Sequence, residues 1–289
     1  MVKATRQHAG IIWLASFPKS GNTWTRAFMH NLLKIMHGET SGLASVNNMA
    51  EFSTWDISGK LYEEILGKPA KEATRIEIAA ARPKAQAVIA ERSQGLILVK
   101  THNALILDRG VPTINFAVTS GAIYVVRNPL DVAISYAHHL ARKIDYAIDA
   151  MEIFNAETRV NDKVVYEVYG SWSQHVASWT KKPHRAIYVM RYEDMLEKPL
   201  DTFGKLAKHL LLSPTPEQLK KAIELSSFDR LKKLEQEEGF VEKPKHAERF
   251  FREGRSGQWR DQLTKEQINR IVVAHSEQMR RFGYLPLPN

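Results

Sequence analysis

Four groups of polar residues follow directly on short apolar runs. Pro18-Lys19-Ser20-Gly21-Asn22-Thr23 follows Ile11 to Phe17, Thr101-His102 follows Leu96 to Lys100, Arg127-Asn128 follows Ala122 to Val126, and Arg191-Tyr192 follows Ala186 to Met190. In the first group Lys19 adds a full positive charge beside Gly21, where backbone N–H groups entering a helix can wrap an anion. Arg127 offers a planar fork to a phosphate dianion, and a helix starting at Asn128-Pro129 brings Ser135 round about two turns later. His102 is of the residue type whose unperturbed pKa, about 6.5, suits a general base near neutral pH. Lys100, two residues earlier, points to the same sheet face and could support a transition state. Each residue taken singly has a plainer reading: a tight strand-to-helix turn for Gly21, a solvated surface charge for Arg127, a histidine tied to a backbone carbonyl for His102.

These groups converge only if the four runs lie side by side. All four lack the alternation of a half-exposed strand, so they read as the centre of a parallel sheet, whose ligands bind beyond the carboxyl ends of the strands. Trp24, Phe28, Leu32 and Ile35 fall at the spacing of one buried helix face, as do Leu200, Phe203, Leu206 and Leu210. The alternation of strand and helix implies right-handed βαβ crossovers. Helix starts are marked by Asn128-Pro129, by Thr215-Pro216, and by Thr264 with Gln267 as a capping box. No 20–50-residue repeat and no linker is found. The expected fold is therefore α/β, a single domain over residues 1–289 with a central, mainly parallel sheet flanked by helices. Residues 39–92 show no clean period, and an insertion of that length suits a substrate lid. Phe52, Trp55 and Tyr62 within it, with Tyr136 and Phe154, fit either an apolar acceptor pocket or the core.

Composition sets the outer bounds. The 289 residues are 44% apolar and 25% charged, ordinary values that exclude a disordered or fibrous chain. There is no cysteine, which removes disulfides, thiolate nucleophiles and Cys-ligated metals. The net charge of +9 favours an anionic partner without choosing among nucleic acid, acidic membrane and phosphorylated small molecule. No apolar run reaches the roughly 18 residues of a membrane helix, and MVKATRQHAG lacks the apolar centre of a signal peptide, so a soluble cytoplasmic protein is expected. His138 and His139 are adjacent, whereas a helical metal pair needs i, i+4 spacing, so no metal is expected.

The octet FPKSGNTW, Phe17 to Trp24, is not a Walker A loop, because there the lysine comes after a second glycine and here Lys19 precedes the glycine. The octet is similar to the 5′-phosphosulfate loop of the soluble, cytosolic-type sulfotransferases that use 3′-phosphoadenosine 5′-phosphosulfate (PAPS). YVVRNPLDVAISY, Tyr124 to Tyr136, resembles that family's 3′-phosphate motif. KTH at Lys100 to His102 resembles its catalytic-histidine segment, and FFREGRSGQW, Phe250 to Trp259, its C-terminal nucleotide-binding segment. RYEDM at Arg191 to Met195 and SSF at Ser226 to Phe228 agree, in the family's order.

The resemblance implies sulfuryl transfer from PAPS to a hydroxyl or amine of a small-molecule acceptor, releasing 3′-phosphoadenosine 5′-phosphate (PAP), without a metal. It assigns Lys19, Ser20, Gly21, Asn22 and Thr23 to the 5′-phosphosulfate, and Arg127, Ser135, Arg252 and Gly254 to the 3′-phosphate. It assigns Trp24, Tyr192 and Phe228, with Ser226 beside them, to the adenine side, and His102 to the acceptor proton. Lys19, Lys100 and Ser135 join His102 as expected catalytic residues. The chain departs from the pattern at Glu253, where lysine is usual, and at Asn22, where threonine is common. Glu253 would repel a 3′-phosphate if it faced it, so its side chain is expected to turn outward. The family's dimerisation motif is not recognisable around Arg260 to Asn269, which leaves the oligomeric state open. Two rivals are weighed: a P-loop kinase, which lacks its Walker lysine here, and a basic nucleic-acid-binding protein, whose signatures and basic stripe are missing.

Overall fold

In the computed structural model, which describes residues 10–39, 43, 45, 47–93, 95–243, 247 and 249–286, each of the four apolar runs is a strand. The strands are β1 (Gly10–Ser16), β2 (Ser53–Trp55), β3 (Leu96–Thr101), β4 (Leu107–Asp108), β5 (Val111–Pro112), β6 (Thr119–Val126) and β7 (Ile187–Arg191). The helices of the first half are α1 (Asn22–Met36), α2 (Gly59–Leu66), α3 (Arg75–Ser93) and α4 (Pro129–Leu140). They are followed by α5 (Ile144–Glu152), α6 (Trp172–Thr180), α7 (Tyr192–Glu197) and α8 (Pro199–His209). The last four are α9 (Pro216–Leu225), α10 (Phe228–Glu238), α11 (Trp259–Gln262) and α12 (Lys265–Phe282). The fold is α/β, with a five-stranded sheet in the order β2-β3-β1-β6-β7. β1 and β2 both pair parallel with β3. In that register Ala15 lies opposite Thr101, so the residues that follow, Ser16 and His102, leave the sheet together.

The chain divides into two compact units. Unit 1 comprises Met1–Phe17, Ser53–Tyr124 and Phe154–Ile187, and unit 2 comprises Pro18–Phe52, Val125–Ile153 and Tyr188–Asn289. Unit 1 is built on Trp13, Tyr62, Tyr124, Tyr166 and Trp172, all fully buried. In unit 2 the α1 face carries Phe28 and Leu32, and Phe28 stacks on Phe203 of α8 at 4.1 Å between ring centroids.

The three expected helix starts are present: Asn128 accepts from the Leu130 N–H, and Thr215 with Gln218 and Thr264 with Gln267 form full capping boxes. The α8 face differs from its spacing, because Leu200 is 55% exposed. The buried stripe runs through Thr202, Phe203, Leu206 and Ala207, and Leu200 lies before it, in the first turn of the helix. Of the aperiodic stretch 39–92, residues 40–42, 44 and 46 lie outside the described residues. From Ser53 onward the stretch forms β2, α2 and α3 within unit 1, and α3 packs on β1 and β3. It is thus core rather than a loop laid over a site. Its period is hidden because α3 buries small and polar side chains, Ala79, Ala81, Arg82, Ala85 and Gln86, as well as Ile78 and Ile89.

Candidate active site

In unit 2 the turn between Phe17 and α1 is shaped for an anion. Lys19 has φ 66° and Gly21 φ 110°, both in the left-handed region. At Gly21 a Cβ would also stand 2.8 Å from the Tyr192 ring, so both the backbone and the neighbouring ring require glycine. α1 begins at once with Asn22, Thr23 and Trp24, and no acidic side chain occupies its first turn. Ser20 is 1% exposed, and its hydroxyl has no hydrogen-bond partner among the described residues. A buried hydroxyl left unpaired costs free energy unless a ligand or water meets it. Lys19 Nζ lies 4.2 Å from the centroid of the Phe250 ring.

Arg127 ties three distant segments together. It leaves β6 almost fully buried, and its guanidinium donates to the Lys19 carbonyl at 3.0 Å and to the Arg255 carbonyl at 3.2 Å. The same guanidinium lies over the Tyr192 ring at 4.2 Å, while its Nε is buried without a partner among the described residues. The C-terminal segment around Arg255 is pinned at both ends by carboxylates. Glu235 of α10 accepts from the Phe250 and Phe251 N–H groups at 2.6 and 2.8 Å. Asp131, in the first turn of α4, accepts from the Gly257 and Trp259 N–H groups at 2.7 and 3.1 Å. Between these anchors Gly254, at φ 62°, lies so close to Phe228 that a Cβ there would be 2.1 Å from the ring. Arg252 donates to His138 Nε2 at 2.6 Å and to Gln258 Oε1 at 3.1 Å. Glu253 turns to Arg255, 2.7 Å from its Nε, and this hydrogen bond holds its carboxyl below the usual range.

In unit 1, His102 is held from three sides. Its Nδ1 donates to the Ser16 carbonyl at 2.7 Å, which places the proton of the neutral ring on Nδ1 and makes Nε2 the basic nitrogen. Its main-chain N–H donates to Glu167 Oε1 at 2.7 Å. Its carbonyl accepts from His175 Nε2 at 3.1 Å, and His175 Nδ1 accepts in turn from the Tyr124 hydroxyl at 2.9 Å. Burial lowers the His175 pKa to about 3 and so keeps that ring neutral. Lys100 Nζ lies 4.6 Å from the Trp55 ring centroid. Burial raises Glu167 to about 7 and Asp56 to about 6. Asp56 accepts from Gln86 and Asn103, and Asn103 Oδ1 accepts from the Val168 N–H, next to Glu167.

The chain matches the sulfotransferase domain over residues 10–283. It belongs to the sulfotransferase family. Sulfotransferase 1B1 of Canis lupus familiaris is 28% identical over 277 residues, covering 93% of this chain and 83% of the relative. Flavonol 3-sulfotransferase of Flaveria bidentis is 23% identical over 293 residues, covering 96% and 84%. The fold is shared with a crystal structure of retinol dehydratase in complex with retinol and PAP, at TM-score 0.67 and 18% identity, with 98% of this chain and 84% of that chain covered. It is shared also with mouse sulfotransferase SULT7A1 complexed with PAP, at TM-score 0.62 and 19% identity, covering 94% and 84%.

Of the residues expected for a sulfotransferase site, Lys19 to Trp24, Arg127, Ser135, Tyr192, Ser226, Phe228, Arg252 and Gly254 all lie in unit 2, and Lys100 and His102 in unit 1. Ser135 is half-buried on α4. Trp24 and Phe228 border one apolar cluster around Leu231, Leu234 and Phe251. Two of these residues also make contacts within the protein. Tyr192 carries Arg127 on its face and is 5% exposed, so in this structure the ring seats the guanidinium and Gly21. The Ser226 hydroxyl is fully buried, donates to the Ala222 carbonyl and accepts from Asn31, so it fastens the end of α9 to α1. Of the aromatic residues read as either acceptor pocket or core, Tyr62 is fully buried and Phe154 is 70% exposed. Asp131, Glu235, Glu167 and His175 were not singled out from the sequence. Asp131 stood inside the 3′-phosphate motif, where an acid in a helix's first turn reads as ordinary dipole complementation.

Proposed function

We propose that the chain, acting as one sulfotransferase domain over residues 1–289, transfers a sulfuryl group from PAPS to a hydroxyl or amine of a small-molecule acceptor. The observation that carries this reading is Arg127, hydrogen-bonded at once to the Lys19 loop and to the Arg255 segment, together with a buried Ser20 hydroxyl in that loop left unpaired among the described residues. The fit of the donor's two charged ends follows from that arrangement. Ser20, Gly21, Asn22 and Thr23, with the first N–H groups of α1, take the 5′ end, and Arg127, Ser135 and Arg252 the 3′-phosphate. Trp24 and Phe228 offer aromatic surface to the adenine.

When bound, PAPS supplies the sulfuryl group and a phosphate oxygen that gains negative charge as the group departs. Lys19 stabilises that charge, a role typically worth about 10²–10³ in rate. His102 Nε2 receives the acceptor's proton, with the ring held by the Ser16 carbonyl, and Lys100 adds positive charge on the same strand. The names of Sulfotransferase 1B1 and Flavonol 3-sulfotransferase support an enzyme of this class, and retinol in the retinol dehydratase complex is consistent with a small organic acceptor. Among the described residues no helix is long and apolar enough to cross a membrane, and the 25%-identical Cytosolic sulfotransferase 5 of Arabidopsis thaliana supports a cytoplasmic setting.

Thermal melts with PAP, ATP and a single-stranded oligonucleotide test the reading. PAP at 100 times its Kd should stabilise the fold by about 2.7 kcal/mol, with little effect from the others. Equal stabilisation by ATP would return the kinase reading, and by the oligonucleotide the nucleic-acid one.

A further inference from the structure

A buried carboxylate needs a reason, because burying a charge is costly and an amide N–H can be satisfied by a neutral acceptor. Glu167 is 6% exposed, yet its Oε1 is spent on the main-chain N–H of His102 at 2.7 Å. We infer that Glu167 is a positioning residue for the base: it fixes the His102 backbone, and the presence or absence of its proton tunes the basicity of the His102 ring. The inference rests on the reading of His102 as the proton acceptor.

Glu167 is itself held rigidly. Its N–H donates to Thr158 Oγ1 at 2.9 Å and its carbonyl accepts from the Thr158 N–H at 2.9 Å. The charged groups that face it come from three other segments. Lys100 on β3 and Arg82 on α3 favour its anion, together with the His102 N–H, while burial and Asp56, just past β2, oppose it. Burial is the largest influence and raises Glu167 to about 7. Because the Ser16 carbonyl already fixes the Nδ1 proton, a change of charge at Glu167 is felt at Nε2, the atom that takes the acceptor's proton. The anion favours the imidazolium and strengthens the base; the neutral acid weakens it.

The test needs no acceptor. The chain is labelled with ¹⁵N-histidine, and the His102 ring and amide signals are identified by their loss in His102→Ala. In the wild type both should respond to an ionisation near pH 7 besides the ring's own. In Glu167→Gln, which keeps an amide acceptor without the charge, that response should vanish, and the ring's own pKa should fall by several tenths of a pH unit to about one unit. Glu167→Val, which has no acceptor, should in addition lose protection of the His102 amide against exchange, with PAP affinity changed less than twofold. A purely structural Glu167 would leave the ring titration the same in wild type and Glu167→Gln, and that result overturns the proposal. Turnover surviving in His102→Ala would instead overturn the base reading, while the titration arm still reports on Glu167.

Discussion

Unit 2 and unit 1 both use buried carboxylates and backbone carbonyls to hold their functional groups, and differ in how far burial shifts the protonation of those carboxylates. In unit 2 the groups around the expected nucleotide site are largely main-chain: the Lys19 and Arg255 carbonyls take Arg127, and Asp131 and Glu235 grip four backbone N–H groups. In unit 1 the histidine ring is set by the Ser16 carbonyl and its backbone by Glu167 and His175, whose protonation burial shifts strongly, with Asp56 behind them. A site made of backbone needs particular turns, and particular turns need particular residues at fixed spacing. A site made of buried charges needs only that distant positions meet, and its protonation follows from burial.

The sharpest way to break the comparison is to remove one group from each unit. His102→Ala should lower kcat by about 10²–10⁴ and leave PAP affinity nearly intact, whereas Lys19→Ala should impair both. Single-turnover rates and PAP titrations on both variants decide it; equal loss of PAP affinity would erase the division. Next in size is Arg127→Ala. Losing a charged hydrogen-bonding fork should weaken PAP by about 10–100-fold, and adenosine 5′-phosphosulfate, which lacks the 3′-phosphate, far less. Calorimetric titration with both ligands measures the ratio.

Unit 1 carries two carboxylates whose raised pKa values make stability depend on pH. Asp56 and Glu167 are raised by burial to about 6 and about 7, so between roughly pH 4 and 7 the folded chain binds more protons at these groups than the unfolded one. Their contribution to stability is therefore complete at the acid end and lost as pH rises through 7. Glu167→Gln should gain melting temperature over the wild type at pH 8 and lose most of that gain at pH 4.5. His175, lowered to about 3, acts in the reverse sense, losing stability as pH falls below about 6.5, and is common to both proteins in the melt. The smallest effect concerns Glu253→Lys in unit 2. It removes the partner of Arg255 and adds a cation near the 3′-phosphate residues, so PAP should bind tighter by no more than about 1 kcal/mol, and chiefly at low salt.

The same contrast explains what could be read from the amino acids. Four of the strands, three helix starts, the glycine turn and Arg127 were legible because apolar runs, caps and Gly21 leave local marks. Gly254 was legible through its segment, although its reason, the Phe228 ring against its Cα, is long-range. α3 was not, since its buried face is alanine, arginine and glutamine. Glu167 was invisible for a like reason: nothing in VYEVYG distinguishes an acid that will be buried against residue 102 from one left in water. Glu253 pairs with Arg255, and its other carboxylate oxygen lies 3.6 Å from Arg252.

The bond from Arg127 to the Arg255 carbonyl spans 128 positions of chain, and it gives the protein an order of assembly. A ribosome releases β1, the Lys19 turn and Arg127 long before residues 250–259 exist. Through most of its synthesis the nascent chain therefore lacks the backbone that completes the arginine's seat, and the nucleotide can act as a folding template only once that late segment has emerged. Unit 2 would then be the late-maturing part of the molecule, and the cell's supply of PAPS would bear on how much finished enzyme survives rather than on how fast it is made.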